Sequence, residues 1–325
     1  MEEIKKWQDK LHITFRINNK CNLSCEYCHW NHLNHYEYND IINTIDNIFK
    51  LQKITQKEII LYFHGGEPSF HPDIINILKY IKRKNKDKKI KIEFQTNLSL
   101  DLKLYKNIIK YINNLSVTIH YKYLQEKKLL NQFLNNVYSI NNLKKFNNFD
   151  IMLENIDENE LNEFYDLIQK LLNDLNYQNS EMIYQMCYYK LPKNIYESHL
   201  KFYKEFNKTE NKYFWKGCQE TPKATNELFL SANYKDCYCM AGNNFLVIEG
   251  NGKVFRCGIH MTNYISRNIK DMPEITNINQ NLKYLINYIN KPYNKCQWNF
   301  CGGDFYIPKW RESDGINKNT KNKFK

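Results

Sequence analysis

No run of apolar residues in this 325-residue chain approaches the roughly 18 needed to cross a bilayer, so no membrane span and no membrane partner are predicted. The amino-terminal stretch MEEIKKWQDK lacks the apolar centre of a secretion signal, which makes the cytoplasm the expected compartment. No internal repeat is visible, which excludes a solenoid. A concentrated basic stripe is missing too. Lys and Arg exceed Asp and Glu by 47 to 35, but the excess is spread along a chain also rich in Asn, Ile and Tyr. Aromatic residues are not interleaved with the cations at any one place, so nucleic acid is not an expected partner. What the chain does have is ten cysteines. In a reducing compartment these cannot be a disulfide framework; clustered thiols there bind metal or do redox chemistry.

Strand-like runs alternate with helical patterns through the first half. LHITFRI (11–17) precedes a helix-period segment near 40–53, and EIILYFH (58–64) precedes PDIINILKYIKRK (72–84), where Pro72 suits a helix start. IKIEFQT (90–96), LSVTIHY (115–121) and FDIMLEN (149–155) are each followed by a helical pattern, and EMIYQM (181–186) reads as a sixth strand. Repeated βα units imply an α/β fold with a parallel sheet, open or barrel-like, whose functional loops lie at the carboxyl ends of its strands. The predicted organisation is a partial (β/α)6 barrel over 1–187, an irregular connecting segment over 188–236, a small cysteine-rich α+β domain over 237–307, and a basic tail over 308–325.

Cys21, Cys25 and Cys28 fall in the loop after the first strand. Three thiolates at x3 and x2 spacing can wrap one iron–sulfur cube, each on a different iron, leaving one iron without a protein ligand. Zinc is the alternative and needs a fourth ligand, for which His29, His32 and His35 are at hand. Cys21, Cys25, Tyr27 and Cys28 form a Cys-x3-Cys-x-aromatic-Cys pattern that resembles the signature of the radical S-adenosylmethionine (SAM) superfamily. That resemblance implies a [4Fe-4S] cluster whose open iron chelates the amino and carboxylate groups of SAM. One electron from the cluster then cleaves the sulfonium to methionine and a 5′-deoxyadenosyl radical. In the same register, Gly65, Gly66 and Glu67 after the second strand are similar to the family's Gly-Gly-Glu segment, in which backbone approaches the SAM amino group. By the same resemblance, Asn97 after the third strand and Thr118 and His120 after the fourth are candidate SAM-binding residues. Polar strand ends facing water are the alternative for these three, and for Glu154 and Asn155 at the end of strand five.

CYCMAGNNFLVIEGNGKVFRC (237–257) reads as a hairpin, NFLVIE and KVFRC about a GNG turn, with Cys239, Gly252 and Cys257 spaced by twelve and four residues. It resembles the auxiliary-cluster domains called SPASM and twitch. CQWNFCGGD (296–304) is similar to their closing segment. The resemblance implies one auxiliary [4Fe-4S] cluster on Cys239, Cys257, Cys296 and Cys301, with Cys237 in reserve because the x4 spacing of the last pair is looser than the family's. A zinc ribbon is the alternative. Cys187 and Cys218 are left over. They are either buried and inert or hydrogen-atom donors to a substrate radical, as a cysteine is in radical SAM epimerases.

The implied activity is reductive SAM cleavage followed by hydrogen abstraction from a substrate. Relatives with an auxiliary cluster commonly modify peptides, so a peptide is the expected substrate and a small molecule or nucleoside the alternative. A flavodoxin or ferredoxin would supply electrons. Only twenty residues precede Cys21, so the leader-binding module of many peptide-modifying relatives is not expected, and a separate leader-peptide-binding protein is a candidate partner. A non-catalytic iron–sulfur or zinc protein is the reading from a different class.

Overall fold

The computed structural model describes residues 7–26, 28, 35–141, 146–154, 156–175, 181–186, 236–257, 274–296 and 309–310. Apolar residues recurring every second position form the strands. In β1 (Lys10–Arg16), Leu11, Ile13 and Phe15 are fully buried. In β2 (Glu58–His64) the apolar run is continuous, as expected where a parallel strand is covered on both faces. The helices follow the expected 3.6 period. α1 (Tyr38–Thr55) comes before β2, and α2 (Ile74–Lys84) comes before β3 (Ile90–Thr96). Pro72 lies just outside α2, whose N-cap is Asp73, so it marks the approach to the helix rather than its first turn. After α3 (Leu102–Ile108), capped by Asp101, the helical pattern that follows IKIEFQT tightens. Lys110 and Tyr111 donate to the carbonyls three residues back, at Asn107 and Ile108. β4 (Asn114–Ile119), α4 (Tyr121–Glu126), α5 (Leu130–Asn141), β5 (Phe146–Leu153), α6 (Glu158–Asp174) and β6 (Glu181–Met186) complete the run. α6 opens on a capping box between Asp157 and Glu160.

The chain divides into two compact units. One holds residues 1–20, 29–93 and 216–325. In it the strand order is β10 (Thr276–Asn277), β9 (Lys253–Phe255), β8 (Phe245–Glu249), β1 and β2, continuing into β3. β1 and β2 are parallel, with Lys10 opposite Glu58 and Arg16 opposite His64. The other holds residues 21–28 and 94–215, with strand order β3-β4-β5-β6; β4 and β5 pair in parallel, as do β5 and β6. The result is a mixed α/β fold on a parallel-strand sheet, as predicted.

The hairpin of β8 (Phe245–Glu249) and β9 (Lys253–Phe255) forms where the sequence places it. Its pairing is the unforeseen part: β8 runs parallel to β1, with His12 opposite Phe245 and Arg16 opposite Glu249, and β10 (Thr276–Asn277) adds to β9. Asn244, fully buried before β8, fixes this junction by donating its amide to the carbonyls of Trp7, Gln8 and Lys10. A smaller three-stranded sheet has β7 (Tyr238–Cys239) between β11 (Asn294–Lys295) and β12 (Lys309–Trp310), with α7 (Leu282–Ile289) preceding β11. Among the described residues no helix is long and apolar enough to cross a membrane.

His12, in the middle of β1, stacks on Trp7 with ring centroids 3.9 Å apart. Burial, aided by the Lys10 charge and opposed by Glu58, lowers its pKa from 6.5 to about 4. The folded protein therefore binds fewer protons here than the unfolded chain between about pH 4 and 6.5. This contribution is complete above pH 6.5 and is lost as pH falls towards 4. By pH 5 the loss amounts to about 2 kcal/mol. Urea unfolding at pH 7 and pH 5 should show a His12→Phe variant losing less stability on acidification than the parent by about that amount. Equal losses would show that His12 does not titrate in this window.

Candidate functional site

The cysteine loop leaves the end of β1 and is built with its own unit. Its turn is closed by Cys28 N–H donating to the Cys25 carbonyl at 2.9 Å. Glu26 N–H donates to the Tyr123 hydroxyl at 2.9 Å, and Lys122 Nζ lies 3.8 Å from the Glu26 carboxylate. α4 thus grips the middle of the loop.

Asn97 and His120, the polar residues that follow β3 and β4 and are candidate SAM-binding residues by resemblance, lie beside the thiols. Asn97 Nδ2 is 3.7 Å from Cys21 Sγ, which also receives Leu23 N–H at 3.4 Å. His120 Nδ1 lies 3.8 Å from Cys25 Sγ, and burial lowers the histidine pKa to about 4, so a neutral ring faces that sulfur at pH 7. Donors aimed at sulfur favour the thiolate over the thiol. Two residues that sequence reasoning missed hold Asn97 in place. Ser99 donates from both N–H and Oγ to Asn97 Oδ1, at 3.1 and 2.6 Å, and Asn22 Nδ2 donates to Ser99 Oγ at 2.7 Å. Asn97 Nδ2 also donates to Asn22 Oδ1 at 2.9 Å. Behind them Asn136, fully buried in α5, donates to the carbonyls of Leu98 and Leu100. The Asn-Leu-Ser run after β3 was the available signal, since short polar residues at a strand end commonly bond nearby backbone.

Thr118 is placed differently from His120. Its hydroxyl accepts from Gln95 Nε2 at 2.7 Å, and Gln95 also donates to Asp150 Oδ2 at 2.8 Å. Strand alternation explains the layering: Gln95 and Thr118 lie two residues below Asn97 and His120. A hydrogen-bonded row from β3, β4 and β5 therefore underlies the residues that touch the thiols. Glu154, almost fully buried, accepts Lys122 N–H at 2.7 Å and so ends β5 against the start of α4.

In the other unit, the Gly-Gly-Glu turn after β2 lies against the stem that leads into Cys21. Gly66 N–H donates to the Asn18 carbonyl at 3.2 Å, Glu67 N–H to the Lys20 carbonyl at 2.8 Å, and Asn18 Nδ2 to the Glu67 carbonyl at 3.1 Å. A Cβ on Gly66 would sit 2.1 Å from the Lys20 oxygen, and one on Gly65, whose φ is +132°, 2.5 Å from the Asn18 oxygen. Only glycine allows this approach. The Glu67 side chain is buried and accepts from Ser69 N–H and Oγ at 3.0 and 2.5 Å, capping the short 3-10 turn Pro68–Phe70.

Among the later cysteines, Cys237, Cys239 and Cys257 are buried and Cys296 is half-buried. β7 and β11 pair antiparallel with Asn294 opposite Cys239 and Lys295 opposite Tyr238; the same register sets Cys296 opposite Cys237, and Cys296 N–H donates to the Cys237 carbonyl at 2.8 Å. Tyr27, His29, His32, Asn155, Cys187, Cys218 and Cys301 lie outside the described residues. His35, the described member of the candidate zinc ligands, packs edge-on against His71 with centroids 5.3 Å apart. Among the described residues, no three His, Cys, Asp or Glu side chains are grouped to hold a metal ion. The donor chemistry of the first loop nonetheless suits an iron–sulfur cube: three thiols within eight residues, with N–H groups of Leu23 and Asn97 directed at Cys21 Sγ.

Residues 15–167 match the model of the Radical SAM superfamily. A stretch of 92 residues is 29% identical to an uncharacterised protein of Methanocaldococcus jannaschii; it covers 27% of this chain and 31% of that protein, so the chain spans about a third of this curated relative. Streptococcus suis SuiB bound to S-adenosylmethionine aligns with a TM-score of 0.57 at 13% identity, over 89% of this chain and 69% of SuiB. SuiB bound to precursor peptide SuiA aligns at 0.55 and 14%, over 94% and 69%. Native anSMEcpe with bound AdoMet and Cp18Cys peptide aligns at 0.55 and 17%, over 85% and 79%. At these identities the likeness to the solved structures is one of fold.

Proposed function

We propose, from the match of residues 15–167 to the radical SAM superfamily model, that this chain reductively cleaves SAM and uses the resulting radical to abstract hydrogen from a peptide. The observation that carries the reading is the thiol loop after β1, met at Cys21 and Cys25 by Asn97 and His120. Cys21, Cys25 and Cys28 would hold a [4Fe-4S] cluster, which when bound supplies one low-potential electron to the SAM sulfonium. The chain's own residues do the rest. Asn97 and Leu23 N–H stabilise charge on Cys21 Sγ and His120 stands neutral beside Cys25, while in the other unit the Gly65–Gly66 backbone packs directly on the stem carbonyls of Asn18 and Lys20. Per turnover, one electron from a flavodoxin or ferredoxin yields methionine and a 5′-deoxyadenosyl radical, which takes one hydrogen atom to give 5′-deoxyadenosine and a substrate radical. Thr118 serves in the layer beneath.

Two aligned folds with bound peptides, SuiB with SuiA and anSMEcpe with Cp18Cys, support a peptide as the substrate. Cys239, Cys257 and Cys296, completed by Cys301 or Cys237, would hold a second cluster. Cys187 and Cys218 remain candidate hydrogen donors, a separate leader-binding protein a candidate partner, and the cytoplasm the proposed compartment.

The test is anaerobic reconstitution with iron and sulfide, followed by dithionite and SAM. The parent should release 5′-deoxyadenosine, and Cys21→Ala, Cys25→Ala and Cys28→Ala should each reduce that release by about a thousandfold or more. A parent that binds zinc at this loop, or that takes up iron and leaves SAM intact, would refute the reading.

A further inference from the structure

Four polar side chains close a ring at the carboxyl ends of β8 and β1. Arg16, 1% exposed, is the largest fully buried side chain among the described residues. Its Nη2 donates to Asn19 Oδ1 at 3.1 Å, and its Nη1 lies 3.7 Å from Glu249 Oε1, the carboxylate directly across the β1–β8 register. The Tyr36 hydroxyl is hydrogen-bonded to both Glu249 and Asn19. A carboxylate only accepts, so Tyr36 O–H donates to Glu249, and the phenol oxygen accepts from the Asn19 amide. The order of donation then runs from Arg16 to Asn19, back through Asn19 to Tyr36, and on to Glu249, whose charge faces Arg16 again. The cation is taken from water and the anion largely so, and each is met within the ring.

The backbone is shaped to admit it. Gly250 N–H donates to the Arg16 carbonyl at 2.7 Å, and a Cβ on Gly250 would lie 2.6 Å from Tyr36 Cβ, so only glycine lets the tyrosine sit over the hairpin turn. Tyr36 N–H donates to the Ile17 carbonyl, and Asn18 bridges to His35. Residues 17–20 are thereby held from one side by the ring. From the other side their carbonyls receive Gly66 and Glu67.

We propose that the ring of Arg16, Asn19, Tyr36 and Glu249 is a positioning device for the SAM site, through which the hairpin strand β8 fixes the stem that supports the Gly65–Gly66 turn. This rests on the SAM-cleaving reading above. It makes Glu249, 184 and 183 residues beyond the two glycines in sequence, a determinant of cofactor affinity although it is assigned no contact with the cofactor.

The full-length, anaerobically reconstituted protein is the material for the test. Tyr36→Phe removes one hydroxyl and Glu249→Gln one charge, both with little change of shape. SAM dissociation constants, KM and kcat for 5′-deoxyadenosine release, iron per chain, and the change that SAM causes in the electron paramagnetic resonance spectrum of the reduced cluster are measured for each. Each variant should weaken SAM binding and raise KM about tenfold, with iron content and kcat at saturating SAM near the parent values. The double variant should be no worse than the poorer single one, because one ring is broken in either case. Variants that bind SAM within twofold of the parent, or whose affinity falls only in proportion to lost iron, would overturn the proposal. A parent that neither binds nor cleaves SAM would instead overturn the underlying reading, and the proposal with it.

Discussion

Gly66→Ala is expected to cost about 3 kcal/mol of stability and to weaken SAM binding by about a hundredfold or more. The added Cβ would meet the Lys20 carbonyl oxygen at 2.1 Å, the Lys20 carbonyl carbon at 2.6 Å and the Asn19 oxygen at 2.7 Å. All three are backbone atoms of the stem, so no side chain can rotate away to relieve the contact. Backbone must separate, and two hydrogen bonds are at risk when it does: Gly66 N–H to the Asn18 carbonyl and Glu67 N–H to the Lys20 carbonyl. The stem leads directly into Cys21, so displacement there moves the first thiol as well as the turn. Urea unfolding of the apo-protein and equilibrium binding of SAM to the reconstituted protein separate the two effects. Phe70→Ala, at a residue 39% exposed four positions on, should stay within about 0.5 kcal/mol of the parent and serves as the comparison. If Gly66→Ala kept both the stability and the SAM affinity of the parent, the close approach would have no functional meaning.

Much of this was legible from residues 10–186 because local rules and the global fold agree there. Alternation in LHITFRI and the continuous run in EIILYFH set two buried parallel strands, and the loop after the first of them had to carry its thiols at a carboxyl strand end. The resemblance singled out Asn97 and His120, the polar residues that follow β3 and β4. It could not say that Asn22 and Ser99 would brace Asn97, because that depends on the loop's own turn. The later half was read less completely. The hairpin was visible in its apolar runs and glycine turn, but its parallel docking on β1 joins residues more than 230 positions apart, and no local pattern encodes such a pairing. Arg16 and Glu249 illustrate the limit. Each looks like an ordinary charged residue ending an apolar strand, and only the register that sets them opposite one another shows that burial of one requires the other.

Arg256→Met should remove about 3 kcal/mol or more of stability and disperse the later cysteines. Arg256 is 6% exposed and precedes Cys257 at the end of the hairpin. Its Nε donates to the Ala241 carbonyl at 3.1 Å, Nη1 to the Lys295 carbonyl at 3.2 Å, and Nη2 to the Asn294 carbonyl at 3.0 Å. Ala241 lies two residues after Cys239, and Lys295 immediately before Cys296. One planar guanidinium therefore ties together the three backbone segments that bear Cys239, Cys257 and Cys296, and its fixed fork suits three divergent acceptors as a lysine ammonium would not. Methionine fills similar volume but leaves one buried and two part-buried carbonyl groups without their donor, which is the costly half of a broken hydrogen bond. The same guanidinium places positive charge beside the Cys257 segment, where thiolates would need it. In a protein whose first loop carries Cys21→Ala, Cys25→Ala and Cys28→Ala, any retained iron reports on the second group alone. About four irons per chain are expected there with Arg256 in place, and fewer than about one with Arg256→Met. Arg256→Lys should fall between, because it restores the charge and not the fork. Zinc in place of iron would keep Arg256's structural role and refute the cluster. Unchanged iron in Arg256→Met would show that the cysteines gather without it.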